Sequence, residues 1–302
     1  MENNQRILFY KQISRNKRNS IFLLTLIILV IAVLGFVIGM AMGPDYFTII
    51  MIIAIIFSVF YVWFGFYNSD KIALASVNAK IADRRIHKKL YDSVESMSLA
   101  SGLPMPKVYV MPGTSINAFA SGRDPKNAVV CFTEGAIEKL DKRELEGVIA
   151  HEMSHIANYD IRFMTLAAVL VGMIAIISEV FLRSLWFSGG RGGGEKDKSQ
   201  IIFLAIGIAL AILAPIATYF VQLAISRKRE FAADATAVKL TRTPTGLIGA
   251  LKKIKTDAPM KPHSVSKAVA PLFFSNPFKK DFSNAFSTHP PLEKRISVLE
   301  RM

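Results

Sequence analysis

The chain has 302 residues, a net charge of +14 and an apolar share of 52%, and those apolar residues gather in four long runs. Together with the positive mean hydropathy, this excludes an ordinary soluble globule and indicates a membrane protein. The basic residues flank the runs instead of alternating with aromatics, so anionic lipid headgroups account for the charge and no nucleic-acid partner is expected. Cys131, the only cysteine, rules out an intrachain disulfide and a thiolate metal site, and in a predicted strand it reads as a small buried apolar residue.

Residues 1–20 carry Arg6, Lys11, Arg15, Lys17 and Arg18 against one acid, Glu2. The first apolar run, Ile21 to Met42, has about 22 residues, or roughly 33 Å of helix, enough to cross a bilayer. It is too long for a signal-peptide core and has no convincing small-residue cleavage site, so it is expected to remain as an anchor. Gly43-Pro44-Asp45 makes a turn, and a second span follows from Phe47 to Tyr67, with Tyr61, Trp63 and Tyr67 at the far interface. Lysine and arginine placement then puts the N-terminus, and everything after Tyr67, in the cytoplasm.

Residues 68–160 form the first soluble block. Ala73 to Ala100 is expected to be helical, stopping at Gly102-Leu103-Pro104, with a short strand from Lys107 to Met111. Ser115 to Ala120 and Ala128 to Phe132, joined by the turn-rich segment 122–127, read as a hairpin. A strand there, Asn117, Ala118, Phe119 and Ala120, can hold an extended peptide through its backbone; a plain core hairpin fits the pattern equally well. Thr133 is placed to cap the next helix. Asp141 and Glu144 have the spacing of a capping box, and Leu145, Val148 and Ile149 give the following helix one apolar stripe. Gly147, four residues before His151 and on the same face, suggests close backbone approach at that spot, and tight packing of the helix on a neighbour fits equally well.

The helix carries His151-Glu152-Met153-Ser154-His155. Residues four apart share a helix face, so both imidazoles can meet one metal ion, and Glu152 is placed to take a proton from the water that ion activates. Asn158 falls on the same face, either supporting the ligands or simply ending the helix, and Asp160 reads as the cap of the next one. Segment 161–225 contains two further runs, Phe163 to Phe187 and Ile201 to Ile225, separated by a Gly-rich loop. Glu179 and Arg183 interrupt the third run, and Pro215 is expected to kink the fourth.

Two histidines leave a zinc site short of a third protein ligand. On a helix after the fourth run, Glu230, Ala233, Asp234 and Ala237 share a face, and the alanines allow the close approach that would bring Glu230 to the metal. Asp234 would then accept a hydrogen bond from a ligand histidine and fix its tautomer. Both halves of the site can meet only if the chain crosses the membrane an even number of times between them, which two spans satisfy. In the C-terminal piece (226–302 overall), Pro290 and Pro291 start a helix whose apolar face is Leu292, Ile296 and Leu299. His289 and Arg295 there can donate hydrogen bonds to a developing oxyanion or a substrate carboxylate; a helix cap and a surface cation are the plainer reading of the same pair.

With these residues the sequence resembles the HtpX-type membrane metallopeptidases, a family that includes the CAAX prenyl proteases. The segments that carry the likeness are Asn117 to Ala120, His151 to His155, Ser226 to Asp234, and Ser287-Thr288-His289-Pro290-Pro291 with Arg295-Ile296. The resemblance implies a mainly α, four-span protein with a gluzincin-like α+β catalytic domain at the cytoplasmic face of the bacterial inner membrane. It further implies one Zn2+ held by His151, His155 and Glu230, with Glu152 catalytic, and a role in clearing damaged membrane proteins. Three rival readings are a prenyl-peptide protease, an intramembrane-cleaving enzyme and a non-enzymatic four-span protein. The charges around the histidine helix place it at the water side, which argues against the second.

Overall fold

In a computed structural model the described residues are 2–170, 172, 179, 207, 227–258, 272–275 and 290–302; most of the third and fourth apolar runs, the Gly-rich loop and His289 lie outside them. The chain opens on two long helices, α1 (Glu2–Met42) and α2 (Pro44–Tyr67). By length and composition each contains a candidate membrane span, Ile13–Met40 and Pro44–Tyr67. The basic segment is therefore the first part of the anchor helix itself. Gly43, at φ 102, makes the reversal that a side chain would resist, and Pro44 starts α2. The helices pack closely where Gly35 faces Ala54, while Phe22, Leu29, Ile53, Ile56 and Phe60 are exposed, a surface suited to lipid.

The helix expected over Ala73–Ala100 is two helices. After α3 (Ser69–Ser76) the chain turns through Asn78, at φ 52, into the short strand β1 (Lys80–Ile81). Sheet pairing overrides the local helical pattern here: Lys80 lies opposite Val110 and Ile81 opposite Tyr109. Asp83 then accepts a hydrogen bond from the Arg85 amide at 2.7 Å, fixing a turn before α4 (Lys88–Ser101). That helix ends where expected, on Gly102 at φ 68.

Strands β2 (Lys107–Met111), β3 (Ala118–Gly122) and β4 (Ala128–Thr133) complete a sheet of order β1-β2-β4-β3. The β3–β4 pair is the antiparallel hairpin read from the sequence, while β2 and β4 run parallel. Cys131 is fully buried in β4. Thr133 caps α5 (Glu134–Lys139) by accepting from the Ala136 amide.

Helix α6 (Lys142–Ala157) runs through the core, with β3, α4, α7 (Arg227–Thr241) and α8 (Thr245–Thr256) packed on it. Its start is the expected capping box, with Asp141 and Glu144 each accepting the other's amide proton at 2.8 Å. Gly147 permits contact with α8: a Cβ there would lie 2.6 Å from the Leu247 amide nitrogen. Leu145, Val148, Ile149 and Met153 join Leu247, Leu251, Ile296 and Leu299 in one apolar cluster. The last helix, α9 (Leu292–Leu299), begins behind Pro290 and Pro291.

Candidate metal centre

His151 and His155 point from successive turns of α6 toward the buried face of α7, which consists of Glu230, Ala233, Asp234 and Ala237. The small residues let α7 lie close enough for Glu230 to reach both rings. Its carboxylate oxygens stand 3.5 Å from His151 Nε2 and 3.6 Å from His155 Nε2, and the two Nε2 atoms are 3.1 Å apart. Donors around a tetrahedral zinc at about 2.0–2.1 Å stand roughly 3.4 Å from one another, so these separations bracket the required value.

The other ring nitrogens explain why both Nε2 atoms face inward. His151 Nδ1 lies 2.9 Å from Asp234 Oδ1, and His155 Nδ1 lies 3.0 Å from Asp160 Oδ2. A carboxylate accepts, so each Nδ1 carries the proton and each Nε2 presents a lone pair. Two lone pairs and a carboxylate converging in a buried space repel one another unless positive charge sits among them. Burial lowers the His151 pKa, yet the hydrogen bonds with Asp234 and Glu230 outweigh it and lift the value to about 9. The site thus draws in a proton or a metal cation, and three donor atoms within 4.8 Å of one another suit a divalent ion.

Glu152 lies beside this cluster. Burial raises its pKa, opposed by the two histidines and by a hydrogen bond with the Ala120 backbone. Its Oε1 is buried without a hydrogen-bond partner among the described residues, as expected of an acceptor reserved for a ligand.

Arg295, fully buried on α9, grips Asp234 with two parallel hydrogen bonds, Nε to Oδ2 at 2.9 Å and Nη2 to Oδ1 at 2.6 Å. Burial alone would raise the Asp234 pKa, but Arg295 and His151 reverse it and the net shift is downward. The third guanidinium nitrogen, Nη1, approaches the Phe274 carbonyl at 3.5 Å.

Asn117 and Ala118 hold an extended piece of backbone, and it is the chain's own. Phe273 bridges antiparallel to Phe119, and the Phe274 amide donates to the Ala118 carbonyl at 2.7 Å. The Asn117 side chain donates to the Ser275 carbonyl at 3.0 Å and accepts from the Ser275 amide at 3.2 Å. The Phe274 ring packs edge-on against His151, with centroids 4.8 Å apart.

Asn158 is buried at the end of α6, with its amide 3.4 Å from the Ser154 hydroxyl rather than on a histidine. The group on His155 is Asp160, which spacing had suggested only as a helix cap. The chain reverses at Tyr159, φ 58, and swings Asp160 back toward the ring. An acid just past the second histidine was the available signal.

The profile of peptidase family M48 matches residues 83–302. A protein named Protease HtpX homolog from Caldanaerobacter subterraneus subsp. tengcongensis is 47% identical over 250 residues, covering 82% of this chain and 83% of that one. Another of that name, from Limosilactobacillus reuteri, is 42% identical over 304 residues, covering 98% and 100%. The crystal structure of S. mikatae Ste24p aligns with a TM-score of 0.51 at 21% identity, covering 96% of this chain and 66% of that one, a likeness of fold.

Proposed function

The chain belongs to peptidase family M48, and from that premise we propose how its residues divide the work of hydrolysing a peptide bond. It is a membrane-associated zinc metalloprotease, which sets aside the non-enzymatic reading. His151, His155 and Glu230 are the ligands of one Zn2+. When bound, the ion supplies Lewis acidity, polarising the substrate carbonyl and making water acidic enough to ionise near neutral pH.

Glu152 takes the proton from the attacking water and returns it to the departing amine. Asp234 and Asp160 keep the imidazoles in the ligating tautomer, and Arg295 keeps Asp234 charged and fixed. Asn117 to Ala120 bind the substrate backbone as an added strand. What supports that role is the way Asn117, Ala118 and Arg295 already engage the amide and carbonyl groups of Phe274 and Ser275. The observation that carries the whole reading is the convergence of two Nε2 atoms and Glu230 beside the carboxylate of Glu152.

Substrates are membrane proteins, damaged ones included, cut at the cytoplasmic face of a bacterial inner membrane. Supporting this, Asn16, near the start of the candidate span Ile13–Met40, touches Asp160 beside the site. A four-span topology, in which the apolar segment 161–225 supplies two further crossings, meets the need to return Glu230 to the side of His155. The test is Glu152→Gln in the purified full-length protein. Bound zinc should stay at the wild-type level while cleavage of a membrane-protein panel falls by about 10²–10⁴-fold. Undiminished cleavage refutes the assignment.

A further inference from the structure

Asn16 belongs to the anchor helix α1, yet it is buried at 2% exposure and makes its contacts inside the catalytic domain. Its side-chain amide donates twice, to Asp160 Oδ1 at 2.6 Å and to the Asn158 carbonyl at 2.9 Å. Arg229 Nε reaches the same carboxylate oxygen at 3.2 Å. The opposite oxygen, Oδ2, meets His155 Nδ1. Asp160 is therefore held on one side by α1 and by the residue preceding Glu230, and on the other side holds an imidazole.

We propose that Asn16 is a positioning residue of the metal centre: through Asp160 it fixes the orientation and tautomer of His155, making the membrane anchor part of the site. This rests on His155 being a ligand. A carboxylate can turn about its own bond, and the imidazole it orients turns with it. Two donors on Oδ1 remove that freedom and leave Oδ2 aimed at Nδ1. Arg229, its side chain nearly buried over the Phe163 ring, adds charge and a second restraint on Oδ1, whereas the short planar amide of Asn16, anchored also on the Asn158 carbonyl, supplies direction from α1. Groups that orient a metal-binding imidazole from the far side typically change metal affinity or activity about 10–100-fold when lost. Because Asn16 arrives on α1, the arrangement closes only when the anchor is seated against the residues following α6.

The experiment uses the full-length protein in detergent or nanodiscs. Zinc affinity is measured by chelator competition, and the visible spectrum of the Co2+-substituted protein reports ligand geometry. Asn16→Ala is expected to weaken zinc binding about 10–100-fold, alter the Co2+ spectrum, and lower kcat with little change in KM. Asn16→Asp, which sets a second carboxylate against Asp160, should weaken binding further. In an Asp160→Asn background, Asn16→Ala should add nothing, because the group it acts through is already changed. Ser20→Ala removes a buried hydroxyl one turn along whose partner among the described residues is the Asn16 carbonyl, and should leave affinity and spectrum unchanged.

Wild-type affinity and spectrum in Asn16→Ala, with only a lower melting temperature of the metal-free protein, would reduce Asn16 to packing and overturn the proposal. An equal loss in Ser20→Ala would do the same. Should alanine prevent folding, Asn16→Ser takes its place: weakened zinc binding with an altered spectrum supports the proposal, and wild-type values overturn it. A wild-type protein that binds no zinc defeats the metalloprotease reading itself, whereas zinc-binding wild type beside an indifferent Asn16 variant defeats this inference alone.

Discussion

His151 and His155 each turn a protonated nitrogen toward a carboxylate, but the two carboxylates are neutralised differently. Asp234 is paired with a buried arginine through a two-bond fork, while Asp160 shares an oxygen between an amide and a single nitrogen of the nearly buried Arg229. Cutting the fork should therefore be severe. Arg295→Leu leaves Asp234 buried without its cation and is expected to lower stability by about 3–5 kcal/mol, read from denaturant unfolding; a loss under about 1 kcal/mol would contradict that account. Arg295→Lys keeps the charge but not the paired geometry and should recover only part of it. At this scale much was legible. Helical spacing brings out His151, Glu152, His155 and the Glu230/Asp234 pair, because all of them project from regular helix faces. Asp160 escaped because its contact depends on a left-handed backbone angle at Tyr159, and no periodic pattern records one such angle.

Among the elements, the α6–α8 contact turns on glycine. Gly147→Ala would gain up to about 1 kcal/mol in helix propensity, but its methyl group would press on the Leu247 backbone, which has no rotamer to yield. Overpacking of this kind costs about 1–3 kcal/mol, so the variant should melt at a lower temperature than wild type; an equal or higher melting point would show that the helices separate freely. The sequence announced this contact, since a glycine on an otherwise well-formed helix asks for a neighbour. It misled over 73–100, where the strand Lys80–Ile81 exists only because β2 is there to pair with it. The strand edge of β3 makes its own prediction. If substrate pairs with Ala118, it must displace Phe274, so an uncleavable peptide bound to Glu152→Gln should speed hydrogen exchange at the Phe274 and Ser275 amides. Unchanged protection would mean that peptides bind elsewhere.

For the molecule as a whole, a metal held by His151, His155 and Glu230 would close a loop between α6 and α7, which the sequence separates by a long apolar segment. Ion binding should then be folding energy. Zinc at a hundredfold over its dissociation constant adds about 2.7 kcal/mol, so chelation should lower the melting temperature and zinc, not magnesium, should restore it. A melting curve indifferent to chelator would remove the metal from the account. The overall architecture was half legible. Length and hydropathy mark out α1 and α2, while the seating of α1 against the catalytic domain joins one buried asparagine, which hydropathy counts as a minor blemish, to an apolar face of Leu23, Ile27, Val30 and Ile31 that hydropathy cannot tell from a lipid-facing one. Beside the histidines, the edge of β3 already holds Phe274 and Ser275, a tethered rival that dilution never weakens. A free peptide in solution competes poorly against such a neighbour, whereas a chain confined to the same bilayer meets that edge at high effective concentration. Selectivity for membrane clients would then come from crowding in two dimensions, with no particular side-chain motif required.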